Sequence, residues 1–366
     1  MKLEIVRENL LSPLQAVVGV VERRQTMPIL ANVLLRVRDN KLWLAATDLE
    51  VEMVAHADLD EGLAGATTVA GRKLMDICRS LPESSEIAIA AEGDRLVLKS
   101  GGSRFSLATL PADDFPLVDS VDGDLSFQIS QAHLKHLIEQ TQFAMAHQDV
   151  RYYLNGLLFE FRPNKLRAVG TDGHRLSLCD IDMALPDVGV RQVIVPRKGI
   201  LELQRLLTDD EDQADIEVSH NHIRVNLGSR QFTSKLVDGR FPDYEKVIPP
   251  KGARRLVVDR GQFRQALTRA AILSNEKFRG VRLNLSPDSV VVLAHNSEHE
   301  NAEEQLQAKF QGEGLEIGFN VGYLLDPLSV VPADEIEVEF TDGNGSCVIH
   351  GLSDERSRHV VMPMRL

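Results

Sequence analysis

The sequence predicts an α+β fold made of three repeats of one domain, and three observations carry that expectation. A strand–turn–strand pattern occurs at residues 45–51, 170–176 and 293–299. Thr47 and Thr171 lie 124 positions apart, and Thr171 and Asn296 lie 125 apart. An interval that holds while the polar residues of the turn change is the mark of a structural repeat. Each third of the chain also runs through one order: short strand, amphipathic helix, strands, second helix, closing strands. At roughly 100 to 200 residues per domain, the 366 residues allow two to four domains. The repeat selects three, 1–125, 126–251 and 252–366, with breaks at the Asp122, Gly123, Asp124 run and at Pro249, Pro250, Lys251, Gly252.

The first helix of each third shows an apolar stripe at helical spacing. It is formed by Leu10, Leu14, Val17, Val18 and Val21, then by Leu134, Leu137, Ile138 and Thr141 behind a Ser130 cap, then by Phe263, Leu267, Ala270 and Leu273 after Asp259. Serine and aspartate are apt at those starts because their oxygens accept from the open N–H groups of the first turn. Strands at 32–37, 155–160 and 280–285 follow and lead into the repeated turn. Second helices carry Leu74, Ile77, Cys78 and Leu81, then Ile200, Leu203 and Leu207, then Val321, Leu324, Leu325 and Leu328. Closing strands end in matching tails, with Phe105 and Phe232 127 positions apart and the third tail cut short at residues 359–366. Antiparallel strands with two helices per unit predict domains in which both helices cover one face of a sheet. Three such units in a row predict an arc.

With 43 % apolar and 26 % charged residues, the composition is that of an ordinary globular chain. The charged N-terminus does not read as a secretory signal, and no stretch approaches the roughly 18 apolar residues of a membrane span, so a cytoplasmic protein is expected. Cys78, Cys179 and Cys347 are too scattered for a metal site or a disulfide framework, and predict reduced, buried thiols. The net charge of −13 argues against a general affinity for nucleic acid. Its distribution is uneven. Arg72 and Arg79, and Lys198 and Arg205, fall opposite the apolar stripes of the second helices, while Arg23, Arg24, Arg264 and Arg269 belong to first helices. The acidic excess is concentrated in Glu298, Glu300, Glu303, Glu304, Glu313 and Glu316.

Two patterns suggest catalysis. Asp172, His174 and Arg175 could pass for a general acid/base or a metal ligand set. Their turn, however, recurs with Asp and no His in the first copy and with His and no Asp in the third, which makes it architectural. His295, Glu298 and His299 fit the H-x-x-E-H zinc pattern. That pattern needs a helix to bring its ligands to one metal, and here it follows the strand-like run 290–294. No catalytic residue, cofactor or metal is expected.

Several of these segments together, 24–30, 145–156, 171–176, 195–199, 238–244, 271–280 and 361–366, closely resemble the bacterial sliding-clamp family, the β subunits of DNA polymerase III, and the likeness runs the whole length. The resemblance implies three clamp-type domains and a head-to-tail homodimer closed into a ring around duplex DNA, with helices lining the hole. It implies a processivity factor, not an enzyme, placed on DNA by a clamp loader, that tethers replicative and repair polymerases through a peptide pocket. Matched by position, the pocket takes Leu154, Thr171, Gly173, His174, Arg175, Leu176, Pro242 and Val247 from the middle third. From the last third come Asn320, Tyr323, Ser346, Val360, Val361, Met362, Pro363, Met364 and Arg365. Lys246 stands where the family commonly has arginine, and Asn344 where an aliphatic wall residue is expected. The DNA contacts implied are Arg24, Arg72, Gln148, Tyr152, Tyr153 and Lys198; the dimer seam implied sets Arg104 and Phe105 against Ile272, Leu273, Glu298, Glu300, Glu303 and Glu304. A repeat scaffold that binds partner peptides without encircling DNA is the alternative the residues leave open.

Overall fold

The computed structural model describes residues 1–21, 27–118, 123–186 and 189–365; Arg23, Arg24 and Asp122 lie outside them. Among the described residues are six α-helices: α1 (Arg7–Val18), α2 (Gly71–Ser80), α3 (Gln131–Thr141), α4 (Arg197–Leu206), α5 (Arg260–Ala271) and α6 (Val321–Val330). The expected stripes face inward, with Leu10, Leu14, Leu74, Leu137, Ile200, Leu267 and Leu328 fully buried. The caps form as the residue types require. Asp259 Oδ1 accepts from Gln262 N at 2.7 Å, Asn320 Oδ1 from Gly322 N at 2.9 Å, and Ser130 Oγ from His133 N at 3.3 Å.

By its internal contacts the chain falls into two compact units, Met1–Leu134 with Lys198–Leu236, and Lys135–Arg197 with Val237–Leu366. The first holds a 13-stranded antiparallel sheet, in which strand Arg230–Lys235 pairs with Val51–Asp58, Phe232 opposite Met53. The second holds a nine-stranded and a four-stranded sheet; in the larger, Arg175–Asp182 pairs with Asp354–Val361, Leu176 opposite Val360. Strands of the middle third are therefore divided between the two units.

The last third shows why the one-face expectation needs correcting. Its strands Gly280–Ser286, Ser289–His295, Asn301–Gln307 and Leu315–Asn320 form the small sheet, while Arg254–Asp259, Lys309–Gln311, Glu335–Phe340, Cys347–Gly351 and Asp354–Val361 belong to the large one. Helix α5 packs on strands of both. A helix flanked by two sheets must be apolar over more than one stripe, and Phe263, Ala266, Leu267 and Ala270 are all buried, with Phe263, Leu267 and Ala270 in a core shared with Leu256, Val290, Val292 and Phe340.

The repeated turn is built by side chains. Thr47 Oγ1 donates to Val51 O at 2.9 Å and accepts from Leu49 N at 3.0 Å; Thr171 Oγ1 donates to Arg175 O at 2.6 Å and accepts from Gly173 N at 3.2 Å. Asp48 and Asp172 each accept from two backbone N–H groups of their turn. In the third copy Asn296 Oδ1 accepts from Glu298 N and Glu300 N, both at 3.0 Å. Asn296 thus does the work of Asp172, not of Thr171, and the interval becomes 124 in both steps. His295 ends a strand and His299 sits in this turn with φ of 64°, so the H-x-x-E-H spacing lacks its helix. All three cysteines are buried, which pushes the Cys78 and Cys179 thiols up to about 11 and Cys347 to about 12.

Candidate partner-binding site

The pairing of Arg175–Asp182 with Asp354–Val361 lays the end of the chain beside the middle turn. Met362 N donates to His174 O at 3.0 Å and Met364 N to Gly318 O at 2.8 Å. Two backbone bonds thereby hold a segment that is otherwise irregular, leaving Met362, Pro363 and Met364 half-buried and Arg365 exposed.

Beneath the tail, Leu154, Leu176 and Val360 join Phe241, Tyr244 and Val348 in one apolar cluster. Leu154, Leu176, Val360 and Val361 are at most 2 % exposed. They belong to the core, and the accessible surface is made by the residues around them. On one wall the His174 ring stacks on Tyr323 of α6, centroids 6.4 Å apart and planes 19° from parallel. The Arg175 guanidinium carbon lies 4.5 Å from the centre of the same Tyr323 ring, a cation–π geometry. Arg175 is held there by Asp172 Oδ2 at 3.1 Å, Phe143 O at 2.7 Å and the Asp326 carboxylate. On the other side are exposed Pro242 and Val247, the first just ahead of the 3-10 turn Tyr244–Val247 and the second its last residue. Tyr244 fixes that turn: its hydroxyl accepts from Arg167 Nη1 at 3.1 Å and donates to Glu160 Oε1 at 3.0 Å. Arg167 is itself paired with Asp180 at 2.6 and 2.8 Å, a bidentate bond inside the sheet.

Thr171 and Asn320 are occupied by the fold, the first in closing the turn, the second in capping α6 and donating to Phe278 O at 3.2 Å. Gly173 is required by conformation, with φ of 86° and Arg151 Nη2 only 2.9 Å from where a Cβ would stand. Ser346 is half-buried just ahead of Cys347, which faces Val361. Lys246 is exposed and paired with Asp243 at 2.7 Å, and Asn344 is exposed. What the sequence reading left without a role is Phe278, 56 % exposed. With Asn275, His295 and Asn296 it lines a cavity of ≈ 390 Å³ that Met364 and Arg365 close on the tail side. An exposed phenylalanine within the 271–280 motif was the available signal.

The Asp172 carboxylate is occupied by two backbone N–H groups and by Arg175, and the His174 ring lies against Tyr323. The residues of the expected DNA contact occupy two places. Arg72 is exposed on α2 and donates to Val21 O at 3.0 Å. Lys198 is less free than its helical phase suggests, since its ammonium lies 2.5 Å from Asp48. Gln148, Tyr152 and Tyr153 share a loop fastened by Asp149, which bonds Arg151 N and Nε at 2.8 and 3.0 Å and exchanges backbone bonds with the Asn155 amide. Arg151 holds the Asp149 carboxyl down to about 2. Arg24 lies outside the described residues.

At the expected seam, Arg104 and Phe105 lie on strand Ser103–Leu110. Ile272 is 76 % exposed and Leu273 half-buried just past α5. The acidic run is not one strand: Glu298 and Glu300 belong to the turn, and the strand begins at Asn301. Glu303 is exposed, while Glu304 is bound to Arg269 of the same chain at 2.7 Å.

A repeated α+β scaffold whose polar turns are structural, with half-buried methionines and a stacked His174–Tyr323 pair beside the tail, has the make-up of a binding protein. Family models of the DNA polymerase III beta subunit match in sequence order: the N-terminal domain at residues 1–119, the central domain at 128–243 and the C-terminal domain at 245–365. The beta sliding clamps of Pseudomonas aeruginosa and Escherichia coli are 53 % and 50 % identical to the chain, each compared over 100 % of both chains. The crystal structure of the P. aeruginosa DNA polymerase III subunit beta superposes with a TM-score of 0.97 at 52 % identity over 100 % of both chains. The same holds for a P. aeruginosa sliding clamp bound to griselimycin, and Caulobacter crescentus pol III beta gives 0.92 at 38 % identity, again over 100 % of both. The chain belongs to the DNA polymerase III beta-subunit family, the sliding clamps.

Proposed function

We propose that two copies of this chain close head to tail into a ring of six domains, 1–125, 126–251 and 252–366 from each, that encircles duplex DNA and slides. The ring is opened by a clamp loader and tethers polymerases by peptides docked in the groove around His174, Tyr323, Val247, Met362 and Met364. It works in the cytoplasm, without a cofactor and without catalysis.

The observation that carries the dimer is a pair of open sheet edges. Among the described strands, residues 103–108 pair only with Arg95–Ser100, and Asn301–Gln307 pairs only with Ser289–His295. Long edges of this kind invite pairing with another chain unless they are covered. Adding one edge to the other, copy to copy, would satisfy both, bury Phe105 and Ile272, and set Arg104 near Glu303. Because the contact is heterologous, repetition either closes or grows; two copies closing gives the ring. Topology would then hold the DNA, so Arg24, Arg72, Lys198, Gln148, Tyr152 and Tyr153 need make only weak, screened phosphate contacts.

Primer extension tests the tethering. With a clamp loader and a polymerase present, the chain should lengthen products made in a single binding event, and a variant carrying both Met362→Ala and Met364→Ala should lose that gain while still assembling. Equal product lengths with and without the wild-type chain would leave the scaffold reading in its place.

A further inference from the structure

Outside the groove, three ligating side chains meet on the large sheet of the last third. Strands Glu335–Phe340 and Cys347–Gly351 pair with Glu337 opposite His350, and two-residue alternation brings Glu339 to the same face. His350 and Glu339 are buried, and Glu337 keeps 13 % of its side chain exposed. His350 Nε2 lies 3.5 Å from Glu339 Oε1 and 3.9 Å from Glu337 Oε1, and all three ligand atoms fall within 4.8 Å of one another.

The proton on the ring can be located. His350 Nδ1 is 2.9 Å from Gly351 O, and since a carbonyl only accepts, Nδ1 carries the hydrogen. In the neutral ring Nε2 of His350, a residue only 4 % exposed, therefore aims a lone pair at two carboxylate oxygens. A proton on Nε2 would draw a carboxylate to about 2.7–2.9 Å, whereas the two oxygens stand at 3.5 and 3.9 Å, a spacing that leaves room for a cation among the three. Zinc bonds to nitrogen and oxygen of about 2.0–2.2 Å place tetrahedral ligand atoms about 3.4 Å apart, against 3.5 Å from His350 Nε2 to Glu339 and 3.9 Å to Glu337, so a small inward movement of Glu337 would complete the set. The outer bonds are also those of metal ligands: Gly351 O orients the imidazole, and Gly252 N donates to Glu339 Oε2 at 3.0 Å.

We propose that Glu337, Glu339 and His350 form a binding site for a divalent first-row transition cation. One imidazole with two carboxylates suits zinc or manganese better than magnesium, which prefers an all-oxygen shell. The neighbouring charges moderate the site without filling it. Arg255 Nε stays 3.8 Å from Glu337 Oε1, beyond hydrogen-bond reach, and Lys251 is bound to Glu355 at 2.7 Å. The bound ion would join two strands and, through Glu339, the Gly252 segment that leads into strand Arg254–Asp259.

Zinc chloride titrated into the metal-free full-length chain by calorimetry tests this, alongside Glu337→Gln, His350→Gln and, as a control on an exposed loop, His220→Gln. The wild type and the control should take up one ion per chain with equal affinity, and both site variants should bind ~10-fold or more weakly. If His350→Gln fails to fold by circular dichroism, the partly exposed Glu337→Gln decides alone. No stoichiometric uptake would mean that a protonated imidazole holds the two carboxylates and would overturn the proposal. Undiminished affinity in the folded site variants would place the zinc elsewhere and overturn it equally.

Discussion

Tyr244 shows how one hydroxyl sets a groove edge. It stands between Arg167 and Glu160, and with it stands the turn that carries Val247. Tyr244→Phe removes the shared hydroxyl and leaves both partners short of a bond in a buried place, at an expected cost of about 1–3 kcal/mol, read as a lower denaturant midpoint at unchanged slope. Arg167→Met strips Asp180 of its bidentate partner but leaves it Lys165 at 3.0 Å, so the cost should stay at or below the low end of the about 3–5 kcal/mol of a fully broken buried pair in the same measurement. His359 gives a pH dependence. It is fully buried beside Ser177, and burial lowers it to about 3 from the ordinary 6.5. Below 6.5 the unfolded chain binds a proton that the folded chain refuses until about 3. Stability is therefore whole above 6.5 and falls through the window from 6.5 to 3, by about 1.4 kcal/mol per pH unit from this group. Denaturation measured across that window should show a shallower fall in His359→Phe than in the wild type; parallel curves would assign the acid sensitivity to other groups. At this scale the sequence was most legible where a residue acts on its own neighbourhood. The turn role of Asp172 and the cap role of Asp259 follow from local spacing. The pairing of Lys198 with Asp48 and the buried tie of Arg167 to Tyr244 join residues 150 and 77 positions apart, and no local pattern announces them.

Helices were readable as elements because a 3.6-residue stripe records which side is buried. Sheets were readable as strands but not as sheets: pairing is long-range, and nothing in the run 175–182 says that its neighbour is 354–361. For the same reason the sequence put both helices of a domain on one sheet, whereas α5 lies against two. The open edges at 103–108 and Asn301–Gln307 are equally hidden, since openness depends on which strands fail to arrive. They carry the strongest prediction at this scale. Phe105→Arg or Ile272→Asp should weaken self-association by ~30-fold or more, the factor for losing a central interface anchor of about 2 kcal/mol. Sedimentation equilibrium would show monomers where the wild type gives dimers, with circular dichroism unchanged. Dimers at undiminished affinity in both variants would place the seam elsewhere.

Over the whole molecule, a net charge of −13 and a DNA-directed function are compatible only if affinity is not what keeps the protein on DNA. Of the cations expected at the DNA, Lys198 is already partly neutralised by Asp48. A topological link does not fade with salt as phosphate contacts do. The three-domain count came from the repeat itself, whereas the ring came only from likeness to a family, because closure is a property of two copies and leaves no periodicity in one chain. The most direct test is to load the protein onto nicked circular DNA with a clamp loader, then cut the circle at constant salt and follow retention by gel filtration. Encirclement predicts that the protein stays on the circle and is lost from the linear form. Equal retention on both forms, or equal loss from both, would contradict it.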